Sequence, residues 1–121
     1  MKYEEIDIYL IKTFPDFIVD EVDRGLPYCV AASFARYLLK AYENNSIDIL
    51  VSAGQFIENL YFYENAKIDE LATIGYLEAI QNVWSNSSTN PENMVNYLGE
   101  MSKKEWIRLD HFWSGVVTAL R

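Results

Sequence analysis

The sequence predicts an all-α fold, a single domain over residues 1–121 built as a bundle of five to seven antiparallel helices without a sheet. Apolar residues recur at the helical spacing i, i+3, i+4, i+7 along almost the whole chain. No segment alternates apolar and polar residues with the period of two that is typical of a half-buried strand. Because 50% of the residues are apolar, the chain can form a core without a disulfide, and its single cysteine excludes an internal one.

The first helix is predicted to end at Phe14, because Pro15 disfavours a helical conformation in the residue before it. The apolar stripe of this helix consists of Ile6, Tyr9, Leu10 and Thr13. Pro15 itself suits the first position of a short helix that continues through Val22 and that Gly25 closes. The start of the chain is therefore expected to hold one helix of about eleven residues, followed by a short one.

Two long helices are predicted next. Pro27 repeats the start signal, and the residues from Tyr28 to Asn44 place an apolar face opposite a charged one. Ser46 is a suitable N-cap for a helix from Ile47 to Phe62, which carries two apolar stripes. A helix that is apolar on two sides is expected to lie at the centre of the bundle.

A further helix is predicted from about Ala66 to Trp84, where the polar run from Ser85 to Asn90 ends it. Asn90-Pro91 then caps and starts a short helix that continues through Glu100. Gly54 and Gly75 lie inside predicted helices, where glycine costs about 1 kcal/mol relative to alanine. We therefore expect these two glycines to mark close helix crossings.

The last helix is predicted to begin with the capping box Ser102-Lys103-Lys104-Glu105 and to run to Arg121. Its bulky apolar stripe consists of Trp106, Leu109, Trp113, Val116, Val117 and Leu120. Large apolar side chains at core-facing positions of the helices form the predicted core, which includes Phe34, Leu38, Leu50, Phe56, Leu60, Leu71, Leu77 and Trp113.

The charge of the chain is strongly negative and unevenly distributed. Eighteen acidic residues against ten basic ones give a net charge of −8, which opposes attraction to nucleic acid or anionic lipid and favours a basic partner. Residues 1–23 carry −5 and residues 43–78 carry −6, whereas residues 24–42 carry +3 and the remainder is balanced. The acidic segments are therefore the candidate interaction regions, with no nucleic acid and no membrane expected as a partner.

The candidate partner-binding residues form two clusters. In the first, Asp16, Asp20 and Asp23 follow at i, i+4 and i+7 with Glu21 beside them, so a short helix would present like charges that a basic partner relieves. The second cluster combines aromatic and acidic residues and consists of Tyr61, Tyr63, Glu64, Asp69 and Glu70. The alternative interpretation is a solvated acidic face, together with packed tyrosines whose hydroxyls reach water.

Three consecutive aromatic residues, Tyr61-Phe62-Tyr63, cannot all face one core stripe of a helix. At least one of them is therefore expected at a rim or at a partner surface. Stacking on RNA would require basic residues among the aromatic ones, and Lys67 is the only base between residues 43 and 78.

The residues that catalysis and metal binding require are scarce. A Cys/His dyad would require Cys29 to meet His111 of the last helix; the alternative is a small buried Cys29 and a His111 at a helix surface. The chain has no histidine pair, no second cysteine and no glycine-rich phosphate loop. We therefore expect no catalytic residue, no metal, no cofactor and no enzymatic activity.

No signal for export or membrane insertion is expected. The first fourteen residues carry Glu4, Glu5 and Asp7 where a signal peptide would need a cationic start and an apolar run. The most apolar window, Ile47 to Tyr63, is interrupted by charged and polar residues. The expected location is the cytoplasm.

Three short stretches carry a resemblance to a known group: Phe34-Ala35-Arg36-Tyr37-Leu38, Phe56-Ile57-Glu58 and Gly75-Tyr76-Leu77-Glu78-Ala79-Ile80. Over about residues 26 to 85 the chain resembles small acidic all-helical bacterial proteins of the immunity type, which belong to polymorphic and contact-dependent toxin systems. The resemblance implies a cytoplasmic protein that binds and neutralises one cognate toxin domain, often a basic nuclease. It transfers no functional residue to this chain.

Two other function classes remain open. A homo-oligomeric or adaptor module would bury an apolar helix face against itself or another protein, and the expected state is otherwise a monomer or weak homo-oligomer. A small-ligand-binding protein would need a pocket among the helices, lined by Trp84, Trp106 and Trp113.

Overall fold

The computed structural model describes the backbone of residues 1–119 and the side chains of residues 1–115. Over this part of the chain it is an all-α domain without strands, which confirms the predicted fold class. The six α-helices are α1 (Ile6–Thr13), α2 (Pro27–Glu43), α3 (Ile47–Leu60), α4 (Ala66–Glu70), α5 (Glu78–Asn86) and α6 (Glu100–Ala119). None of the helices described is long and apolar enough to cross a membrane.

A π-helical segment, Leu71–Leu77, joins α4 to α5, so that residues 66–86 form one continuous helical rod. Helix α2 packs along this rod and against α3, and this arrangement buries the centre of the domain. Trp84 is fully buried there, and its indole N–H donates a hydrogen bond to the carbonyl oxygen of Ala35 at 3.1 Å. The sequence did not predict the π segment, because its apolar spacing is that of an ordinary helix.

The structure buries seven of the eight residues of the predicted core. The exception is Trp113, whose side chain is 40% exposed. Helix α6 contacts the bundle through Trp106 and Leu109, and both side chains are buried. Trp113 lies one turn beyond Leu109, so its place in the predicted core was wrong. Val116, Val117 and Leu120, the rest of the predicted stripe, lie outside the described side chains.

The first helical stretch has the predicted extent, as a 3₁₀ turn at Tyr3–Glu5 followed by α1. The predicted short helix from Pro15 to Val22 was wrong. After a turn at Pro15 the chain is irregular, and only Glu21–Asp23 forms a 3₁₀ turn. Two β-branched residues in succession, Ile18 and Val19, and repeated like charges at helical spacing both disfavour a helix here.

Helix α2 begins at Pro27 as predicted, and α3 begins after Ser46, whose side chain makes no capping hydrogen bond. Helix α3 ends at Leu60, two residues before the predicted end, because Tyr61–Tyr63 forms a 3₁₀ turn. The side chain of Asn65 caps α4 by accepting hydrogen bonds from two backbone N–H groups. Local sequence signals therefore predict the helix ends on either side of this turn only to within about two residues.

The segment predicted as a short helix after Asn90 is a 3₁₀ helix, Pro91–Tyr97, which stops before Glu100. Gly54 of α3 faces the carbonyl oxygen of Tyr97 so closely that a Cβ on residue 54 would overlap it. The expectation that Gly54 marks a close crossing is confirmed, although the chain that crosses it is the 3₁₀ helix. Gly75 also leaves little space for a Cβ, with the side chains of Leu71 and Ala31 as its neighbours.

Helix α6 begins at Glu100, two residues before the predicted capping box. Ser102 is buried inside the first turn, and its hydroxyl donates a hydrogen bond to Glu58 of α3 at 2.8 Å. Glu105 accepts hydrogen bonds from Arg108 instead of closing a capping box. The predicted box was wrong because a carboxylate from another helix occupies the helix start.

Candidate functional site: the N-terminal surface and the α6 groove

The irregular segment between α1 and α2 is held to the bundle by two buried phenylalanines. The ring centroid of Phe14 lies 4.9 Å from that of Phe34, and the ring of Phe17 lies 5.2 Å from the same ring. Phe17 also packs against Tyr37, with the centroids 5.4 Å apart. A turn closes between them, in which the Phe17 N–H donates to the carbonyl oxygen of Phe14 at 3.0 Å. These contacts position the rest of the segment on the outside of the domain.

Between its anchors and α2, the segment exposes large aliphatic side chains to solvent. Ile18 is 83% exposed and Val22 is 81% exposed. Ile11 and Ile8, one turn apart on α1, and Leu26, just before α2, are exposed as well. We call these five aliphatic residues, together with Asp16, Asp20, Glu21 and Asp23, the N-terminal surface. Contiguous exposed aliphatic surface is typical of an interaction site, and two of these residues, Ile11 and Ile18, line the same cavity.

The first predicted acidic cluster lies within this surface. Asp16, Asp20 and Glu21 are exposed, and Asp23 is partly exposed. The chain places them along an irregular segment, so the predicted single helix face was wrong, because no helix forms there. The four carboxyl groups share their short segment with Ile18 and Val22, which the structure leaves exposed.

A cavity of about 460 Å³ opens at the N-terminal surface. Its apolar wall consists of Ile11, Phe17, Ile18 and Val19. Asp7, Arg24 and Gly25 complete the lining. Gly25 has a φ of +76°, a conformation that side-chain-bearing residues rarely adopt, so it permits the turn into α2. The volume lies in the range of cavities that receive a ligand or a partner side chain.

Asp7 is the half-buried acidic group of this cavity. Its Oδ1 atom is buried and accepts no hydrogen bond, and no ion pair joins Asp7 to Arg24 among the described residues. Burial raises the pKa of the Asp7 carboxyl above its ordinary value of 3.8. The hydroxyl of Tyr76 is also buried without a partner, and burial, followed by the charge of Asp7, raises the pKa of this phenol.

The second predicted cluster is only partly brought together. Tyr61, Asp69 and Glu70 line a groove of about 360 Å³ between the helical rod and α6. A smaller cavity of about 210 Å³ continues it toward Phe112 of α6. We call this feature the α6 groove; it is lined further by Thr73, Ile74, Glu78, Met101, Glu105, Arg108 and Leu109.

Two polar contacts order the α6 groove. The hydroxyls of Tyr61 and Thr73 share a hydrogen bond of 2.7 Å, and burial raises the pKa of the Tyr61 phenol. Arg108 donates to both carboxylate oxygens of Glu105 at 2.7 Å, so this cation is already paired. Sequence reasoning missed Thr73, Glu105 and Arg108, because residues far apart in the chain form the groove.

Tyr63 and Glu64 do not line the α6 groove. Tyr63 packs against the core, and Glu64 adopts a left-handed conformation with a φ of 51° at the turn into α4. Of the three consecutive aromatic residues, Phe62 is the exposed one. The expectation that at least one ring reaches the surface is confirmed, but this ring is Phe62, and the two candidate residues Tyr61 and Tyr63 are only partly exposed. The 3₁₀ turn rotates them toward the bundle.

Glu70 links the α6 groove to the start of α2. Its Oε1 atom accepts a hydrogen bond of 3.3 Å from the hydroxyl of Tyr28. Burial and the nearby Glu70 carboxylate raise the pKa of Tyr28 to about 12. Glu70 is therefore already engaged in the domain itself, unlike the carboxyl groups of the N-terminal surface.

Cys29 and His111 are both exposed. The expectation of a buried cysteine was wrong, because Cys29 lies on the outer face of α2, one residue before the buried Val30. Within the described part of the chain, no group of three or more acidic, histidine or cysteine side chains is placed to hold a metal ion. The tryptophans do not form one pocket either, since Trp84 and Trp106 are core residues and Trp113 is at the surface.

Ile18 and Val22, the most exposed aliphatic residues among the side chains that the structure describes, were not among the predicted site residues. Their signal in the sequence is the mixture of aliphatic and acidic residues from Asp16 to Asp23. A helical interpretation of this stretch directed attention to the charges, whereas the irregular backbone exposes both kinds of side chain.

Comparisons with known proteins identify a family. Residues 8–114 match the family model DUF7674, described as a domain of unknown function. The match includes most of α1, all of α2 to α5, most of α6 and every residue of the N-terminal surface. Neither the curated proteins nor the solved structures contain a match to this chain.

Proposed function

Because the chain belongs to the DUF7674 family, whose description states no activity, we propose its function from the site: a non-catalytic inhibitor of the immunity type. In this proposal it binds and neutralises a cognate toxin domain with a basic surface, such as a nuclease. The observation that supports it is the N-terminal surface, where Ile18 and Val22 lie almost fully exposed among four carboxyl groups.

Exposed aliphatic side chains and carboxyl groups favour a protein partner over other classes. Aliphatic surface gains free energy when a partner removes it from water, at roughly 25 cal/mol per Å². The carboxyl groups oppose binding of phosphate backbones and anionic lipid, and they attract basic protein surfaces. A basic nuclease domain satisfies the charge condition, because its substrate groove attracts polyanions.

In this mechanism the two kinds of side chain have separate roles. Asp16, Asp20, Glu21 and Asp23 accelerate association, because rim charges mainly change the association rate and its salt dependence. The aliphatic side chains slow dissociation, because the apolar surface that the partner covers must be exposed to water again when the complex separates. Asp69 and Glu70 in the α6 groove form a second acidic region for a partner large enough to reach it.

The test is neutralisation of a defined toxin in the cytoplasm of a bacterial host. The chain is expressed with the product of its neighbouring reading frame, and growth and direct affinity are measured with purified proteins. The expected result is restored growth and a stoichiometric complex without cofactor. A neighbouring product that is harmless, or a toxicity that the chain does not relieve, would contradict the proposal.

Lysine substitutions then test the acidic clusters separately. Reversal of the first cluster is expected to slow association more at low salt than at high salt, since screening weakens rim charges. The variant used for comparison carries lysine in place of Asp69 and Glu70. Unchanged affinity for both variants, with the fold retained, would show that neither acidic cluster contributes to binding of the toxin.

A second candidate function, a homo-oligomeric or adaptor module, is favoured by one observation on α6. Phe112 and Trp113 are both exposed, and their ring centroids lie 5.3 Å apart. The nearby charges are balanced in sign, so two copies would not repel each other here as they would at the N-terminal surface. The mass in solution separates a dimer through this face from the monomer or weak homo-oligomer expected of an inhibitor.

A further inference from the structure

We propose that the N-terminal surface docks one amphipathic segment of a partner protein, with aliphatic side chains on one face and lysine or arginine along its flanks. This inference rests on the proposed function only in taking a protein as the partner. It specifies which surface binds, and it attributes more of the binding free energy to Ile18 and Val22 than to the carboxyl groups.

The apolar lining of the cavity is the reason for proposing an aliphatic face on the partner segment. Its wall is formed by four apolar side chains, of which Ile11 and Ile18 are exposed at the rim and Phe17 is buried at the base. A partner side chain that enters here contacts apolar atoms on several sides. Val22 lies two residues before Arg24, which lines the cavity, so the same segment offers a second exposed aliphatic side chain.

The negative charge around the cavity is the reason for proposing lysine or arginine on the flanks of the partner segment. Residues 1–23 carry a net charge of −5, and Arg24 is the single cation that lines the cavity among the described side chains. In the α6 groove Glu70 and Glu105 are already engaged by Tyr28 and Arg108. Asp16, Asp20 and Glu21 are exposed instead. Lysine or arginine beside the inserted aliphatic side chains would therefore meet unneutralised carboxyl groups.

The same charges exclude a second copy of this chain as the occupant. Two N-terminal surfaces facing each other would bring eight carboxyl groups together, and like charges across an interface weaken binding. A basic partner segment removes this repulsion. The occupant is therefore a different protein, and self-association at this surface would contradict the inference.

The surface is largely preformed. Phe14 and Phe17 hold the start of the segment in the aromatic cluster, and the 3₁₀ turn at Glu21–Asp23 is closed by the Asp23 N–H, which donates to the carbonyl oxygen of Asp20 at 3.0 Å. Gly25 then turns the chain into α2. A preformed surface loses little conformational entropy on binding, so apolar contacts contribute more of their free energy to affinity.

The probe is a synthetic helical peptide of about 14 residues, about four turns, with leucine on one face and lysine on the other. Binding to the full chain is followed by chemical shifts of the backbone amides. The control peptide has the same leucines and lysines in an order without an apolar face. We expect shifts confined to residues 7–28 and binding that the scrambled peptide does not reproduce.

The decisive variant is the double substitution Ile18→Ser and Val22→Ser. The matched control is Ile47→Ser and Val51→Ser on α3, an isoleucine and a valine that are 54% and 53% exposed. Both variants should fold with a melting temperature close to that of the parent, since none of the four side chains belongs to the buried core. The first should weaken peptide binding about 100-fold, and the control less than about threefold.

Equal binding of the two peptides, shifts concentrated at the α6 groove, or unchanged affinity of the Ile18/Val22 variant would each overturn the inference. The proposed function fails separately. If the Ile18/Val22 variant still neutralises the toxin with full affinity, the docking surface is wrong and the inhibitor function stands. If the peptide binds as expected but the chain relieves no toxicity, the function is wrong and the docking surface stands.

Discussion

Glu58 of α3 caps the start of α6 through Ser102. Its Oε1 atom accepts hydrogen bonds from the backbone N–H of Ser102 at 2.9 Å and from the Ser102 hydroxyl at 2.8 Å. Its Oε2 atom accepts a third from the Met101 N–H at 3.1 Å. Gly99 makes this possible, since a Cβ at residue 99 would overlap the Glu58 carboxyl group. A carboxylate at a helix N-terminus is favourable, so this contact fixes where α6 begins.

Substitution of Glu58 by alanine should destabilise the domain by about 3 kcal/mol. The change leaves two backbone N–H groups and a buried hydroxyl without an acceptor, and each such group costs free energy. Urea denaturation measures the loss. Glu43→Ala, at an exposed position at the end of α2, is the control and should change stability by less than about 0.5 kcal/mol. Similar values for the two variants would contradict the capping role.

Gly54→Ala should destabilise the domain although alanine is the better helix former. The new Cβ would overlap the carbonyl oxygen of Tyr97, so α3 and the 3₁₀ helix would have to separate. We expect a loss of about 2 kcal/mol, the net of overpacking and improved helix propensity. Gly115→Ala on α6 meets no atom within 4 Å and should be neutral or stabilising. Thermal unfolding of the two variants checks the contrast, and a more stable Gly54→Ala variant would place the crossing elsewhere.

Two tryptophans of α6 should differ sharply in their effect on stability. Trp106 is 1% exposed, and its indole N–H donates to Glu92 at 2.9 Å, so Trp106→Ala should cost about 4 kcal/mol. Trp113 is partly exposed and packs on Phe112, so Trp113→Ala should cost less than about 1 kcal/mol. Equilibrium unfolding followed by circular dichroism measures both. Equal losses would show that Trp113 belongs to the core, as the sequence predicted.

The charge of Asp7 should lower stability as pH rises. Burial raises its folded pKa above the unfolded value of 3.8, so the folded state binds the proton more tightly. The destabilisation by the Asp7 charge is absent below pH 3.8, because the carboxyl group is then protonated in both states. It grows as the pH rises from there through the raised pKa of the folded state and is complete above that pKa. Asp7→Asn should therefore raise the melting temperature relative to the parent at about pH 7 and not at about pH 3. The exposed Asp48→Asn is the control, and a pH-independent difference for Asp7→Asn would contradict this account.

Cys29 should react with a thiol reagent in the folded protein. Its side chain is exposed on α2, so a colorimetric disulfide reagent should modify it without prior unfolding. The rate in native buffer should lie within about tenfold of the rate in denaturant. Cys29→Ser should abolish the signal and leave the fold and partner binding unchanged. A native rate that follows global unfolding would show that the thiol is buried.

Local sequence signals predicted the helical segments well where the interactions are local. Pro27 starts α2, and the polar run from Ser85 ends the helical rod, because proline geometry and the loss of apolar residues act within a few residues. The same signals failed at Ser102, where a capping pattern was present but Glu58, distant in sequence, supplied the cap. They failed again at Pro15, where anchoring of Phe17 on Phe34 holds an irregular segment.

The sequence by itself determined the all-α class, the positions of the long helices, most of the core and the acidic segments. These depend on apolar periodicity and on charge, which can be read along the chain. Only the tertiary structure decided which acidic residues share a surface with exposed aliphatic side chains. In this part of the chain Phe14 and Phe17 are buried in the core, whereas Ile18 and Val22 are exposed. Which of several apolar residues in a segment is buried depends on residues that are distant in the sequence, here Phe34 and Tyr37. The apolar periodicity of the segment itself does not show how these residues pack against it.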